Sequence, residues 1–231
     1  MDELTVKARP APTAQRPLLG TTVLIVEDSR FASEAVRLLC LRSGARIRRA
    51  DCLASAERHL GTYRPEVAIV DLGLPDGSGL ALIGTLAQAA ARPDVILATS
   101  GLDRSEAEAA SQAAGADGFL AKPIEGLAAF QEAILAHLPP DRRPRGLREL
   151  SGDTVHPDRL ALDEDLAQAE RMLLEDGVPP VFVARFLQGL ARTGHDVDLL
   201  AQARSLVPGQ PDIRDRLMAM IAARRGEKRV V

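Results

Sequence analysis

Polar residues of the kind used in phosphoryl chemistry stand at the ends of short apolar runs in this sequence. Glu27-Asp28 follows Val23-Leu24-Ile25-Val26, Asp71 follows Val67-Ala68-Ile69-Val70, Thr99-Ser100 follows Val95-Ile96-Leu97-Ala98, and Lys122-Pro123 follows Phe119-Leu120-Ala121. Three carboxylates gathered in one crevice repel each other, so either their pKa values rise or a cation sits among them. Oxygen ligands with no His or Cys nearby select Mg²⁺ over zinc or copper. A divalent cation, a spare carboxylate oxygen and an ammonium together suit a phosphoryl group. Metal and lysine would neutralise its equatorial oxygens while an Asp oxygen attacks in line, leaving an aspartyl phosphate. Taken singly, each acid reads equally well as a helix cap or a solvated loop charge, and Gly77 and Gly79 as turn residues; the argument rests on the set. Other phosphate motifs are missing: there is no G-x-x-x-x-G-K-[ST], and Gly77-Ser78-Gly79 lacks a glycine three residues later.

Convergence of these residues requires a sheet whose strands all end on one side. Continuous apolar runs are the mark of strands covered on both faces, whereas Ala45-Arg46-Ile47-Arg48-Arg49-Ala50 alternates as an edge strand would. Between the runs lie helical patterns at Phe31/Ala35/Leu38/Leu39, Ala54 to Leu60, Leu80 to Ala91, Ser105 to Ala114 and Leu127/Phe130/Ile134/Leu138. Strand and helix alternate five times, which predicts an α/β, flavodoxin-like (βα)5 doubly wound parallel sheet of order 2-1-3-4-5. Such sheets bind ligands at the carboxyl ends of their strands, where the polar residues lie. The expected organisation is a flexible tail over 1–20, this domain over 21–138, a linker over 139–162, a small all-α domain over 163–225 and a short tail over 226–231.

Residues 21–138 resemble the receiver domain of two-component response regulators: an acidic pair after the first strand, an acceptor Asp after the third, Thr or Ser after the fourth, Lys-Pro after the fifth. The loop Asp71-Leu72-Gly73-Leu74-Pro75-Asp76-Gly77-Ser78-Gly79 is also close to the family form. The resemblance implies that Asp71 is the phosphoacceptor, Asp28 a direct Mg²⁺ ligand, Glu27 a ligand through water and Gly73 a ligand through its carbonyl. It further implies that Thr99 is the hydroxyl that moves to the phosphoryl group, that Lys122 pairs with that group, and that Phe119 is the aromatic switch. Ser100, where alanine is commoner, and Gly73, with no side chain to orient or block water, would tune dephosphorylation.

Composition excludes several classes. The 231 residues carry a net charge of −3, and 46% are hydrophobic, ordinary values for a folded chain. Of 29 basic residues only Lys7, Lys122 and Lys228 are lysine. Net acidity and few aromatics argue against nucleic acid as the main partner. The charge-free stretch Gly77 to Ala91 is too short and polar for a membrane span, and residues 1–20 hold no apolar signal core, so a cytoplasmic protein is expected. Cys40 and Cys52 lack metal or disulfide-scaffold spacing and read as small core residues.

The C-terminal part shows no motif. Pro139, Pro140, Pro144 and Pro157 mark the linker, and Arg142, Arg143, Arg145 and Arg148 form a basic cluster read as solvated. Helices are expected from Asp163 to Gly177, from Pro179-Pro180 to Gly194, from Asp196 to near Pro208-Gly209, and from Pro211-Asp212 onward. Phe182, Phe186 and Leu190 read as bundle core. Residues 140–231 hold 15 acids and 15 bases, which disfavours a DNA-binding output without removing it. A phosphotransfer module is disfavoured because His195 has Asp198 beside it and His59, His137 and His156 lie elsewhere. The expectation is a response regulator in a phosphorelay, phosphorylated by a histidine kinase or histidine phosphotransfer protein. It would be no enzyme beyond its own phosphorylation and dephosphorylation, and would signal through protein contact or a homodimer; a DNA-binding regulator and a phosphorelay component are the alternatives.

Overall fold

A computed structural model describes residues 10–101, 104–124, 126–146, 151–206 and 212–226. Its centre is a parallel sheet of β1 (Thr22–Val26), β2 (Arg46–Ala50), β3 (Val67–Asp71), β6 (Val95–Ser100) and β7 (Gly118–Ala121), in the order β2-β1-β3-β6-β7. Numbered as the five sheet strands, this is the expected 2-1-3-4-5. The remaining two strands, β4 (Gly73–Leu74) and β5 (Gly77–Ser78), form a small antiparallel pair in the loop after β3. Strand periodicity sorts the core into two layers. Val67, Ile69, Val95 and Leu97 face α1 (Arg30–Ser43) and α5 (Leu127–Leu135). Ala68, Val70, Ile96 and Ala98 face the layer of α2 (Leu53–Thr62), α3 (Gly79–Gln88) and α4 (Arg104–Ala114).

Local chemistry sets the helix ends. Ser29 caps α1 by accepting from the Ala32 N–H at 3.0 Å, and Gly44 stops it in the left-handed region at φ 83°. From the β4–β5 turn, Asp76 accepts from the Leu53 and Ala54 N–H groups and so caps α2.

The C-terminal module consists of α6 (Arg159–Leu174), α7 (Pro180–Thr193), α8 (Val197–Ser205) and α9 (Ile213–Gly226) around Leu166, Leu173, Val183, Leu187, Leu190, Leu217 and Ile221. The second and third helices start where the sequence predicts, on Pro180 and on the Asp196 cap. The first starts four residues before Asp163, because Asp158 accepts from the Ala161 N–H and supplies the cap. Its early acids are therefore mid-helix residues with other work. The Pro208-Gly209 stop lies outside the described residues.

Neither the tail nor the linker is loose where it is described. Leu18 is buried in the α1–α5 layer and its N–H donates to the Ser43 carbonyl. Val155 joins the same layer, Gly126 bridges Thr154, and the Leu127 N–H donates to Asp153. Two of the four linker arginines are engaged: Arg142 pairs with Asp94 at 2.8 Å, and Arg143 donates to the Leu138 and Ala136 carbonyls. Apolar anchors hidden in polar, proline-rich sequence explain the difference.

Candidate functional site

The carboxyl ends of β1, β3, β6 and β7 bring the expected residues together. Glu27, Asp28 and Asp71 are buried, and one oxygen from each lies within 4.8 Å of the others. Lys122 is buried beside them, its Nζ 2.7 Å from Glu27 Oε2 and 3.2 Å from Asp71 Oδ2. Burial pushes the Glu27 pKa up to about 8; Lys122 opposes this, while Asp71 and Asp28 add to it. Asp28 rises to about 7 by burial in the same way, with Lys122 opposing and Asp71 and Asp165 adding. For Lys122 burial disfavours the ammonium, but the charges of Asp71 and Glu27 outweigh it and hold the pKa above the ordinary lysine value.

Two backbone features shape the crevice. Gly79 packs so closely on the Asp71 carbonyl that a Cβ there would overlap it, which makes the glycine a requirement of the loop. Gly73 lies in β4 on the rim, a Cβ there being 3.9 Å from Asp71 Oδ2. The donor set fits a hard cation. It is all oxygen, it carries excess negative charge, and Asp28 Oδ2 is buried with no hydrogen-bond partner.

Both hydroxyl residues expected after the fourth sheet strand stand at the carboxyl end of β6, and Thr99 is the register partner of Asp71. A cavity of about 360 Å³ over Asp71 is lined by Ser100, Gly101 and Lys122, and Thr99 is not among its lining residues. Strand alternation puts Thr99 on the same side of the sheet as Asp71, and its Oγ1 is buried with no hydrogen-bond partner. Thr99 is fully buried opposite Asp71 and Leu120, on the side of β6 shared by Val95 and Leu97. Ser100 falls on the side of Ala98, whose partner on β7 is Phe119. Phe119 is half-buried against the α2–α4 layer.

The same cavity is closed from above by the helical module. Phe182, Arg185, Phe186, Gly189 and Arg192 of α7 line it, facing Asp71 and Lys122. Phe186 and Leu190 also serve the bundle core, as expected, but Phe182 belongs to the face between the modules. Asp165 of α6 is buried and accepts from Ser29 Oγ at 2.7 Å, the Arg30 N–H at 2.9 Å and the Phe31 N–H at 2.9 Å. It thus occupies the amino end of α1, next to Asp28. Burial raises its pKa, and the hydrogen bonds from Phe31, Ser29 and Arg30 oppose the rise. None of these α6 and α7 residues was singled out as functional by sequence; only the stripe spacing of 182, 186 and 190 marked that face.

Over residues 23–134 the sequence matches the family described as the response regulator receiver domain. Residues 23–134 are a response regulator receiver domain. Among curated proteins, the receiver-containing chain is 37% identical over 104 residues to the KDP operon transcriptional regulatory protein KdpE of Escherichia coli strain K12, covering 45% of each. It is 29% identical over 157 residues to the transcriptional regulatory protein KdpE of Mycobacterium tuberculosis strain H37Rv, covering 68% of this chain and 65% of that one. With the transcriptional regulatory protein PhoP of Escherichia coli strain K12 it shares 31% identity over 142 residues, 56% of this chain and 63% of the relative. The chain thus spans less than two thirds of the length of these relatives. Among solved structures, a putative response regulator from Chloroflexus aurantiacus is 30% identical with a TM-score of 0.47, covering 50% of this chain and 98% of that one.

Proposed function

We propose that this protein is a cytoplasmic response regulator in which Asp71 accepts a phosphoryl group from a histidine kinase or a histidine phosphotransfer protein. Mg²⁺ would be held by Asp28, Asp71 and the Gly73 carbonyl, with Glu27 acting through water, and would supply charge neutralisation for the transferred group. Asp71 Oδ1 or Oδ2 is the nucleophile; Lys122, already between Glu27 and Asp71, neutralises a phosphoryl oxygen. Thr99, the register partner of Asp71 with its buried Oγ1 unpartnered, is the switch hydroxyl together with Phe119, and Ser100, which lines the cavity, is a second hydroxyl that tunes dephosphorylation. The observation that carries this reading is the buried Glu27–Lys122–Asp71 cluster beside the unpartnered Asp28 Oδ2. Its only chemistry is gain and loss of the phosphoryl group on its own Asp71.

The names of the relatives support transcriptional control as the output, with the helical module as the DNA-contacting part. Arg214, exposed on α9, is a cation available for that task, whereas Arg224 and Arg225 pair within the module with Asp196 and Glu170. The docking of the module on α1 supports the other reading, an output through protein contact or a homodimer. No helix among the described residues is long and apolar enough to cross a membrane.

Incubation with a small acyl-phosphate donor and Mg²⁺ should place a hydroxylamine-sensitive label on the full chain and none on Asp71→Asn. Equal labelling of the variant would refute the assignment. Duplex binding that strengthens on phosphorylation and falls steeply with salt would decide for the transcriptional output.

A further inference from the structure

Resting on the phosphorylation of Asp71 proposed above, we infer that Arg192 of α7, assisted by Arg185, is a ligand of the phosphoryl group. The helical module would thereby read the modification directly, across a cavity that both modules build.

The argument begins with spacing. Residues 182, 185, 186, 189 and 192 recur at three and four, so they form one stripe of α7, and all five line the cavity above Asp71, Ser100 and Lys122. Two glycines let the stripe come close. A Cβ on Gly101, the residue after Ser100, would lie 3.1 Å from Arg192 Nη1 and 3.7 Å from the Gly189 Cα. The Arg192 guanidinium is therefore pressed against the backbone that follows β6. Asp165 holds the module in this place, because its three hydrogen bonds clamp α6 onto the start of α1.

Arg192 also lacks what comparable arginines have. The other half-buried arginines among the described residues are all served: Arg49 donates to the Asp28 carbonyl, Arg92 pairs with Asp117, Arg142 with Asp94 and Arg224 with Asp196. Among the described residues neither the Arg192 nor the Arg185 side chain has a hydrogen bond or ion pair, though the Arg192 carbonyl accepts from the His195 N–H. The charged neighbour of Arg192 is another cation, Arg204, and burial followed by that neighbour pulls its pKa below the ordinary value. A cation in that situation is held at a cost that an anion would relieve.

Charge balance names the anion. With a divalent cation in place of their protons, Glu27, Asp28 and Asp71 would carry three negative charges, against three positive ones on Lys122 and the cation. Phosphorylation raises the charge at Asp71 to about two negative, leaving one uncompensated. The excess arises on the side of Asp71 that opens into the cavity, where Arg192 stands unpaired. A planar guanidinium donates two parallel N–H bonds to phosphoryl oxygens, a geometry a lysine does not reproduce. On this reading phosphorylation tightens the seat of α7 instead of expelling the module.

The test uses the full chain with Mg²⁺ and beryllofluoride, a non-transferable stand-in for the phosphoryl group, read by calorimetric titration and by amide exchange of α7. In the wild type, beryllofluoride should bind and slow exchange over 180–193. Arg192→Ala should weaken binding about tenfold or more and abolish the slowing, with Arg185→Ala giving a smaller loss. Arg192→Lys should recover part of the affinity, and a rescue of this kind separates ligation from damage to the fold. Unchanged affinity in Arg192→Ala, or faster exchange of α7 in the wild type on binding, would overturn the inference while leaving Asp71 in place. Failure of the wild type to bind at all would instead remove the phosphoacceptor reading and this inference with it.

Discussion

Two buried acidic centres lie side by side at the amino end of α1, and the protein treats them oppositely. On the receiver, Glu27, Asp28 and Asp71 share one lysine, and Asp28 Oδ2 has no partner. On the helical module, Asp165 is as deeply buried but accepts three hydrogen bonds, two of them from the first N–H groups of α1. Like charges gathered with too few donors are poised for a cation and a phosphoryl group. A single carboxylate saturated by donors at a helix start is a clamp. Satisfaction of its hydrogen-bonding capacity, more than burial, separates a buried carboxylate that acts from one that holds.

That contrast can be broken at either end. Beyond the complete loss of labelling expected of Asp71→Asn, the largest effect should come from the clamp. Asp165→Ala strands the buried Phe31 N–H and the part-buried Arg30 N–H of α1 and should lower stability by about 3 kcal/mol, measured by chemical denaturation, with faster proteolysis of the segment before α6. A loss below about 0.5 kcal/mol would mean that the modules are held by other contacts. Lys122→Arg comes next: it keeps the charge but places a bulkier, planar group in a buried slot. Labelling should persist at a several-fold lower rate while the response of α7 to phosphorylation disappears; an intact response would show that charge alone suffices.

Smaller effects follow from pH. Glu27 and Asp28 have folded-state pKa values of about 8 and about 7, above their ordinary values. A carboxyl whose pKa is raised by folding destabilises the fold when ionised, so without metal the protein should become more stable as pH falls from 8 toward 5. Mg²⁺ competes with those protons, so its affinity should rise with pH across the same window, as calorimetry at two pH values would reveal. Asp196 behaves in the opposite sense. Despite desolvation, Arg224 and the Leu199 N–H pull its pKa down, so its contribution is present above the unfolded value and is lost as pH falls through the folded one. Asp196→Ala should cost about 1 kcal/mol near neutral pH and nothing measurable in acid.

The receiver half was legible because its chemistry sits at strand ends, where short apolar runs point at the residues that follow them. Asp71, Asp28, Glu27 and Lys122 converge as their order in sequence implies. Thr99 and Ser100 are equally plausible hydroxyls by type, and only register on β6 shows that Thr99 is the one opposite Asp71 while Ser100 lines the cavity. The helical half was legible as helices, through Pro180 and Asp196, but not as a participant. Nothing local in Asp165, Arg185 or Arg192 distinguishes them from solvated charges on an amphipathic helix.

By itself, the sequence determined the sheet, its strand order and the strand-end cluster of acids and lysine, since periodicity and strand-end residues are local properties that survive any detail of packing. Tertiary structure alone decided that Leu18 and Val155 complete the receiver core, that Asp165 clamps α1, and that α7 closes the cavity over Asp71. Those facts depend on which faces meet across more than a hundred residues of chain, and the free energy of that meeting comes from burial and hydrogen bonds that no short stretch of sequence contains.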